Sequence, residues 1–310
     1  MKEKISIIGM GKVGSTAAFV SARKELGDLI LVNRTEGIAK GIALDNKESL
    51  PLSGCDINIK GTSDFREIKD SKVIVVTAGV PRKPGMSRDD LIGVNCRIVE
   101  DICKKIKEHS KDAVIIIVSN PLDAMVYAAK KVGNFKKNKI VGMAGILDSI
   151  RFRSFIAERL KISIEDVNAL VLGGHSDFMI PLPKHTSVNG VPLDNIMDNK
   201  MIDEVVARTK NAGAEILRLE KESSAYYGPG ASAAEMIEAV VKDKKRVLPC
   251  AAYLDGEYGV KGIFMGVPIK LGKNGIEEIL SLKLNRAEMR SFLISAKKIK
   301  ELNKIVDNML

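Results

Sequence analysis

The stretch that decides the fold lies near the N-terminus and reads Ile5-Ser6-Ile7-Ile8-Gly9-Met10-Gly11-Lys12-Val13-Gly14. A short apolar strand runs into a G-x-G-x-x-G turn, and residues 15–20 continue as a helix. The first glycine permits the tight turn, the second lets a backbone approach a pyrophosphate, and the third lets the helix pack closely on the strand. An ordinary glycine turn is the alternative. The strand before the turn and the helix after it favour a dinucleotide-binding site, with phosphates at the helix N-terminus.

The end of the second strand bears on which dinucleotide binds. Residues 29–32 are apolar and lead into Asn33 and Arg34, at a position where an acidic residue would normally bond the adenosine ribose. An amide does not repel a 2′-phosphate, and Arg34 could pair with one. The alternative is that Arg34 points to solvent while Asn33 still bonds the ribose. We therefore expect NADP to be preferred over NAD.

Two further apolar runs, residues 73–78 and 113–118, are typical of a parallel sheet covered on both faces. The first run opens into residues 79–88, a loop with two prolines, two glycines and three basic residues. This loop is either a solvated connection or a lid that brings cations over an anionic ligand. Asn120 follows the second run, at the carboxyl end of a strand, where open α/β sheets place their ligands.

The alternation of strands and helices stops near residue 145. We expect an α/β protein with a Rossmann dinucleotide-binding domain and its parallel sheet at residues 1–145, and an α+β substrate domain at 146–310. In the second half, Asn189-Gly190 predicts a hairpin, and residues 247–253 and 261–271 predict a smaller antiparallel sheet. The terminal helix bears an apolar stripe that predicts core packing: Phe292, Ala296, Ile299, Leu302, Val306 and Met309.

The chemistry is predicted by a carboxylate, a guanidinium and a histidine. Asp148 and Arg151 are three residues apart, so on a helix both would face the same ligand. His175 follows the apolar run 167–172, which as a strand would deliver it into a cleft. The pattern indicates a histidine acid/base oriented by Asp148, beside an arginine that holds a substrate carboxylate.

Composition narrows the class of protein. The net charge of +10 suits small dianionic substrates and phosphorylated cofactors. The basic clusters are short and scattered, so we expect no nucleic acid partner. No apolar stretch approaches the length of a membrane span. The four cysteines form no CxxC or metal-ligand spacing, so we expect no metal site and reduced thiols in a cytoplasmic protein.

Taken together, these motifs resemble the lactate/malate dehydrogenase family, and within it the archaeal-type malate dehydrogenases that are similar to lactate dehydrogenases. The resemblance covers essentially the whole chain. The matching segments are residues 8–14, 76–86, 119–121, 147–151, 173–177, 226–229 and 266–272. One departure is Ser176, where the family usually has glycine.

The resemblance implies a set of catalytic and substrate-binding residues. His175 would donate a proton in oxaloacetate reduction and accept one in malate oxidation, with Asp148 fixing its tautomer. Arg151 would clamp the C1 carboxylate, and Arg88 would polarise the reacting carbonyl. Asn120 would hydrogen-bond the substrate, and the family has a cis peptide bond after it. The resemblance places the cofactor against Gly9, Met10, Gly11, Lys12, Val13, Gly14, Asn33, Arg34, Asn95, Val118 and Asn120.

Arg82 decides the substrate in this resemblance. Lactate dehydrogenases carry a glutamine at the matching position, which leaves no cation for a second carboxylate. With Arg82 present, a C4-dicarboxylate neutralises the guanidinium, whereas pyruvate leaves it unpaired. We expect a malate dehydrogenase, with a lactate or other 2-hydroxy-acid dehydrogenase as the alternative. A cofactor-binding scaffold or a polyanion binder is the non-enzyme alternative. The family also implies a homodimer or homotetramer.

Overall fold

The computed structural model of the chain describes residues 2–81, 87–221 and 223–310. Within these residues the chain forms strands and helices that alternate in the first half and segregate in the second. The strands are β1 (Lys4–Ile8), β2 (Asp28–Val32), β3 (Ile59–Thr62), β4 (Val73–Val76), β5 (Val114–Ile117), β6 (Ile140–Gly142), β7 (Val167–Asn168), β8 (Val171–Leu172), β9 (Ile180–Pro181), β10 (Ser187–Val188), β11 (Val191–Pro192), β12 (Arg246–Asp255), β13 (Lys261–Gly272) and β14 (Gly275–Ile279). The helices are α1 (Lys12–Arg23), α2 (Glu36–Ser49), α3 (Arg88–His109), α4 (Leu122–Gly133), α5 (Gly145–Leu160), α6 (Asn199–Glu220), α7 (Tyr227–Val241) and α8 (Arg286–Asp307).

The main sheet has the order β14-β13-β12-β6-β5-β4-β1-β2-β3 among the described residues. The strands from β3 through β6 in this order are all parallel. Every residue of β4 and of β5 is buried, because helices cover both faces of the sheet. The predicted Rossmann-type parallel sheet is confirmed.

The prediction of a separate smaller sheet for β12 and β13 is wrong. These strands pair antiparallel with each other, and β12 then joins the edge of the parallel sheet where Ala251 pairs with Gly142 of β6. A Cβ at Gly142 would lie only 2.9 Å from the Ala251 Cβ, so the glycine permits this close approach. β12 also covers what would otherwise be an open edge of β6.

The apolar run 167–172 is split rather than forming the single predicted strand. β7 joins a small sheet with β10 and β11, whereas β8 pairs with β9. The backbone N–H of Val171 donates to Ser149 Oγ at 2.9 Å, which ties the start of β8 to α5. The predicted hairpin is confirmed: Asn189 and Gly190 both have positive φ, at 45° and 86°, between β10 and β11.

Two long helices frame the site, and each begins at a capping box. In α3, the N–H of Asp90 donates to Ser87 Oγ at 3.1 Å, and the Asp90 carboxylate accepts from the Ser87 N–H. In α8, Asn285 and Glu288 make the same reciprocal pair. These bonds satisfy backbone donors that the first helical turn leaves open.

The apolar stripe predicted for the terminal helix is buried from Phe292 to Val306. The prediction that Met309 packs in the core is wrong, since Met309 lies past the end of α8 and is 43% exposed. The predicted domain division at residue 145 falls at the first residue of α5 and remains a prediction, because the main sheet runs through both halves of the chain. In the part of the chain that is described, no helix combines the length and apolarity needed to cross a membrane.

Candidate active site

The structure brings Asp148, Arg151 and His175 together. Nδ1 of His175 lies 2.8 Å from Asp148 Oδ2, and the other oxygen of Asp148 lies 3.5 Å from Arg151 Nη1. The Asp148 residue is 1% exposed. A ring that donates its Nδ1 proton to this carboxylate keeps Nε2 to exchange a proton with a ligand.

Helix α5 sets the geometry of the carboxylate and the guanidinium. Asp148 and Arg151 lie in its first turns at the i, i+3 spacing, so they share one face. His175 comes from a different part of the chain, the turn after β8. The helix therefore presents both groups to a histidine that the sheet holds in place.

Electrostatics favour the protonated imidazole. Burial lowers the pKa of His175, but the charge and hydrogen bond of Asp148 and the charge of Asp123 together outweigh burial, so that the pKa is raised above its ordinary value. Burial also lowers the pKa of Arg151, and Asp148 offsets only part of that effect. Among the described residues, the carboxylate contact of this largely buried guanidinium is a single long one, so the group is well suited to receive an anionic ligand.

The turn that bears the histidine is fixed by backbone bonds. Gly173 has φ +91°, a conformation that favours glycine. The N–H of Gly174 donates to Ser295 Oγ of α8 at 2.9 Å, and the N–H of His175 donates to Asp123 Oδ2 of α4 at 3.0 Å. The sequence analysis missed both partners. The available signal for Asp123 was its place three residues after Asn120, at the start of a helix.

Asn120 lies at the carboxyl end of β5, as predicted, and the Asn120–Pro121 peptide bond is cis. Asn95 is 1% exposed; its amide donates to the Asn120 carbonyl at 2.6 Å and accepts the Val80 N–H at 2.8 Å. Val118 is buried, at 6% exposure. Asn95 thus joins the segments that follow β4 and β5, and Val118 is buried directly after β5. A direct contact of either residue with a cofactor remains a prediction.

The glycine turn forms a cradle suited to a diphosphate. A Cβ at Gly9 would lie 2.6 Å from the Ala78 nitrogen, and one at Gly14 would lie 2.0 Å from the Gly9 carbonyl oxygen. A Cβ at Gly11 would meet nothing within 4 Å, so this glycine borders open space. Helix α1 starts directly after Gly11 without a side-chain cap, which leaves its first N–H groups available to an anion.

The remaining residues of the predicted turn have distinct surroundings. Met10 is buried, and its N–H donates to Asn33 Oδ1 at 3.2 Å. Val13 is partly buried against the core. Lys12 Nζ lies 5.1 Å from the ring centroid of Tyr226, at the start of α7. Lys12 therefore joins the glycine turn to the second half of the chain.

A cleft of about 710 Å³ extends from the glycine turn past the end of β2. Asn33 and the exposed Arg34 line this cleft together with Phe65. Asn33 uses its oxygen on Met10 and donates to the Thr35 carbonyl at 3.2 Å. Sequence analysis missed the opposite wall, which α3 supplies through Arg97, Asp101 and Lys105. Their i, i+4, i+8 spacing was the signal.

Comparison with known proteins decides the family. Residues 3–142 match the family model described as lactate/malate dehydrogenase, NAD binding domain. Residues 146–309 match the one described as lactate/malate dehydrogenase, alpha/beta C-terminal domain.

The chain belongs to the lactate/malate dehydrogenase family. A malate dehydrogenase of Rhodopirellula baltica is 50% identical over 311 residues, which span 100% of this chain and 99% of that relative. The apo structure of the malate dehydrogenase from Picrophilus torridus has a TM-score of 0.97 at 45% identity, covering 100% of this chain and 98% of the other. The lactate dehydrogenase of Cryptosporidium parvum, solved with lactic acid and β-nicotinamide adenine dinucleotide, has a TM-score of 0.96 at 40% identity and covers 99% of each chain. Enzymes of both names share this fold, so the choice between them depends on side chains.

Two arginines that the family resemblance assigns to the substrate belong to the segment 79–88. Arg82 lies outside the described residues, as does half of the predicted lid, residues 82–86. Arg88 is the first residue of α3, and its side chain also lies outside the description. The roles of both arginines remain predictions.

Proposed function

We propose that this member of the lactate/malate dehydrogenase family is a malate dehydrogenase, which transfers a hydride reversibly between (S)-malate/oxaloacetate and a nicotinamide cofactor. The observation that carries the proposal is the imidazole of His175 bonded at 2.8 Å to the buried Asp148, with Arg151 on the same helix face. Relatives at 50% identity over nearly the full chain bear the name malate dehydrogenase.

His175 is the acid/base of the proposed reaction. In reduction, the imidazolium donates a proton to the carbonyl oxygen of oxaloacetate; in oxidation, the neutral ring accepts the proton of the malate hydroxyl. Asp148 holds Nδ1 protonated and stabilises the imidazolium. The raised pKa of His175 favours the form that reduction needs.

Arg151 binds the C1 carboxylate in this proposal. The Arg151 side chain is 14% exposed. A bidentate pair with the substrate carboxylate would offset the cost of keeping its charge away from water. Asn120 contributes a hydrogen bond to the substrate from the end of β5. Arg88 polarises the reacting carbonyl from the start of α3.

Arg82 selects the dicarboxylate. An arginine at this position pairs with the second carboxylate of oxaloacetate, whereas pyruvate has no group to offer it. We predict that Arg82→Gln lowers the ratio of kcat/KM for oxaloacetate to kcat/KM for pyruvate by at least about 100-fold, the size expected when a substrate carboxylate loses its charged partner. Steady-state kinetics with both acids measures the ratio. An unchanged ratio would refute this role, and a wild type that prefers pyruvate would favour the alternative, a lactate or other 2-hydroxy-acid dehydrogenase.

The cradle of Gly9, Gly11 and Gly14 fits a dinucleotide diphosphate, since Gly11 borders open space at an uncapped helix N-terminus. When bound, the nicotinamide supplies the hydride for reduction and accepts it in oxidation. Asn33 and Arg34 lie where the adenosine ribose would be read.

We infer that NADPH is preferred over NADH, because the exposed Arg34 lines the cleft and Asn33 puts no carboxylate beside a 2′-phosphate. The matching family model is described as NAD binding, and a relative from Plasmodium falciparum was solved with NADH. We predict a higher kcat/KM for NADPH in the wild type and a loss of that advantage in Arg34→Ala. A wild-type kcat/KM that favours NADH would contradict the inference.

Assembly and location follow the family resemblance as further proposals. We expect a homodimer or homotetramer. We also expect a dinucleotide-binding domain at 1–145 and a substrate domain at 146–310. All four cysteines are free thiols, which suits the cytoplasm. Light scattering after size exclusion measures the oligomer directly.

A further inference from the structure

A second buried carboxylate faces the catalytic histidine from a different helix. Asp123, the second residue of α4, is 3% exposed. Its Oδ2 accepts the backbone N–H of His175 at 3.0 Å, while Asp148 bonds the ring of the same residue. Two carboxylates on two helices therefore hold the main chain and the side chain of His175.

The turn around His175 is built to keep this carboxylate close. A Cβ at Gly174 would lie 3.0 Å from Asp123 Oδ2, so a side chain there would crowd it. The N–H of Gly174 instead donates to Ser295 Oγ at 2.9 Å. Consecutive backbone N–H groups are thus tethered by one neutral acceptor and one charged acceptor.

The dipole of α4 favours a negative charge on Asp123, because this residue lies in the first turn of the helix. Among the described side chains, the charged groups that act on the His175 ring are Asp148 and Arg151 from α5 and Asp123 from α4. The charges of the two carboxylates raise the pKa of His175, and the charge of Arg151 lowers it.

We propose that Asp123 is a positioning residue for His175, which fixes the main chain of its turn and whose negative charge favours the protonated imidazole. The proposal rests on the function proposed above, in which His175 exchanges the substrate proton. The neutral tether, Ser295 on the N–H of Gly174, then acts through geometry alone. The charged tether, Asp123 on the N–H of His175, acts through geometry and through its charge.

The two tethers predict different pH dependences. Without the negative charge, the pKa of His175 falls. Oxaloacetate reduction needs the imidazolium, so the alkaline limb of its pH–rate profile moves to lower pH. Malate oxidation needs the neutral ring, so the acid limb of its pH–rate profile moves to lower pH as well. Loss of a neutral tether slows both directions without moving either limb.

The test compares Asp123→Asn, which keeps an acceptor oxygen but removes the charge, with Ser295→Ala as the matched control. For each, kcat/KM is measured against pH in both directions, and the imidazole of His175 is titrated by NMR. The chain has three histidines, so the His175→Gln spectrum assigns the signal. We expect Asp123→Asn to move both limbs and the NMR midpoint down by about 1 pH unit. Ser295→Ala should leave all three in place.

Limbs and midpoint that stay at the wild-type pH in Asp123→Asn would overturn the proposal, as would an equal shift in Ser295→Ala. If Asp123→Asn does not fold, Asp123→Ser offers a smaller neutral acceptor and must show the same shift. A wild type that does not reduce oxaloacetate would refute the proposed function instead. The NMR midpoint would then still decide whether Asp123 acts on His175.

Discussion

At the scale of single residues, the site depends on how one carboxylate is shared. Asp148 gives its shorter contact, 2.8 Å, to the ring of His175 and its longer one, 3.5 Å, to Arg151. The histidine is thereby oriented, whereas the guanidinium keeps most of its hydrogen-bonding capacity for a substrate carboxylate. The inequality of the two contacts separates the acid/base from the binding group.

Replacing Asp148 by asparagine should therefore damage chemistry more than binding. We predict a fall in kcat of about 10²–10⁴-fold for Asp148→Asn, because an amide oriented to donate stabilises the wrong tautomer of His175. The pKa of His175 should fall too, which moves the alkaline limb of oxaloacetate reduction to lower pH. Ser154→Ala, on the same helix α5, serves as the control in the pH–rate measurement. A kcat for Asp148→Asn within about threefold of the wild-type value would contradict the role of Asp148.

The residues that the sequence predicted are those with a local or motif signal. Asp148 and Arg151 follow from helical spacing, and His175 from its motif after an apolar run. The bonds that Asp123 and Ser295 make could not be predicted, because these residues are 52 and 121 residues away from the backbone groups that they bind. Only the packing of α4 and α8 against the turn reveals them.

At the scale of elements, the two halves of the chain meet where α1 packs against α7. A Cβ at Gly230 would lie 2.6 Å from the Thr16 Cβ, so the two helices approach closely there. At the other end of the contact, Glu238 of α7 is paired with Lys24 and Lys244, each at 2.6 Å. The Glu238 side chain is 8% exposed.

Glu238 should make the stability of the protein dependent on pH in acid. Burial raises its pKa, but hydrogen bonds from three lysines outweigh burial and lower it to about 2. Its stabilising effect is present above the unfolded-state pKa of about 4.3 and is lost as the pH falls toward 2. We predict that Glu238→Gln lowers the free energy of unfolding by about 2 kcal/mol at pH 7, measured by urea denaturation. The deficit should shrink between about pH 4 and pH 2.

The control is Glu204→Gln, which removes an exposed pair with Arg159 at 3.5 Å. That change should alter the free energy of unfolding by less than about 0.5 kcal/mol. Equal changes in the free energy of unfolding at pH 7 would show that the ion pairs of Glu238 stabilise the protein no more than an ordinary surface pair does.

Strands were predictable where the pattern of apolar residues is strong, but the strands that they pair with were not. The runs in β4 and β5 indicated buried parallel strands, and Asn189-Gly190 indicated the hairpin. The antiparallel character of β12 and β13 was also evident, but not the sheet that they join. That choice involves the close approach of Ala251 to Gly142, a steric effect that the pattern of neither strand reveals.

At the scale of the whole molecule, one sheet runs through both halves of the chain and brings the parts of the site to one side. The carboxyl ends of β1, β2 and β5 lead to the glycine turn, to Asn33 and to Asn120. β12 attaches the second half to β6, directly before α5 and Asp148. The net charge of +10 adds a general attraction for dianionic ligands.

We propose that this molecule reduces oxaloacetate through His175. The rate of NADPH and NADH oxidation with oxaloacetate, by the wild type and by His175→Gln, tests this reaction directly. We predict oxaloacetate-dependent turnover in the wild type and a loss of about 10²–10⁴-fold in His175→Gln, with cofactor binding retained in both. Wild-type protein that binds cofactor without turnover, or a His175→Gln variant as active as wild type, would contradict the claim.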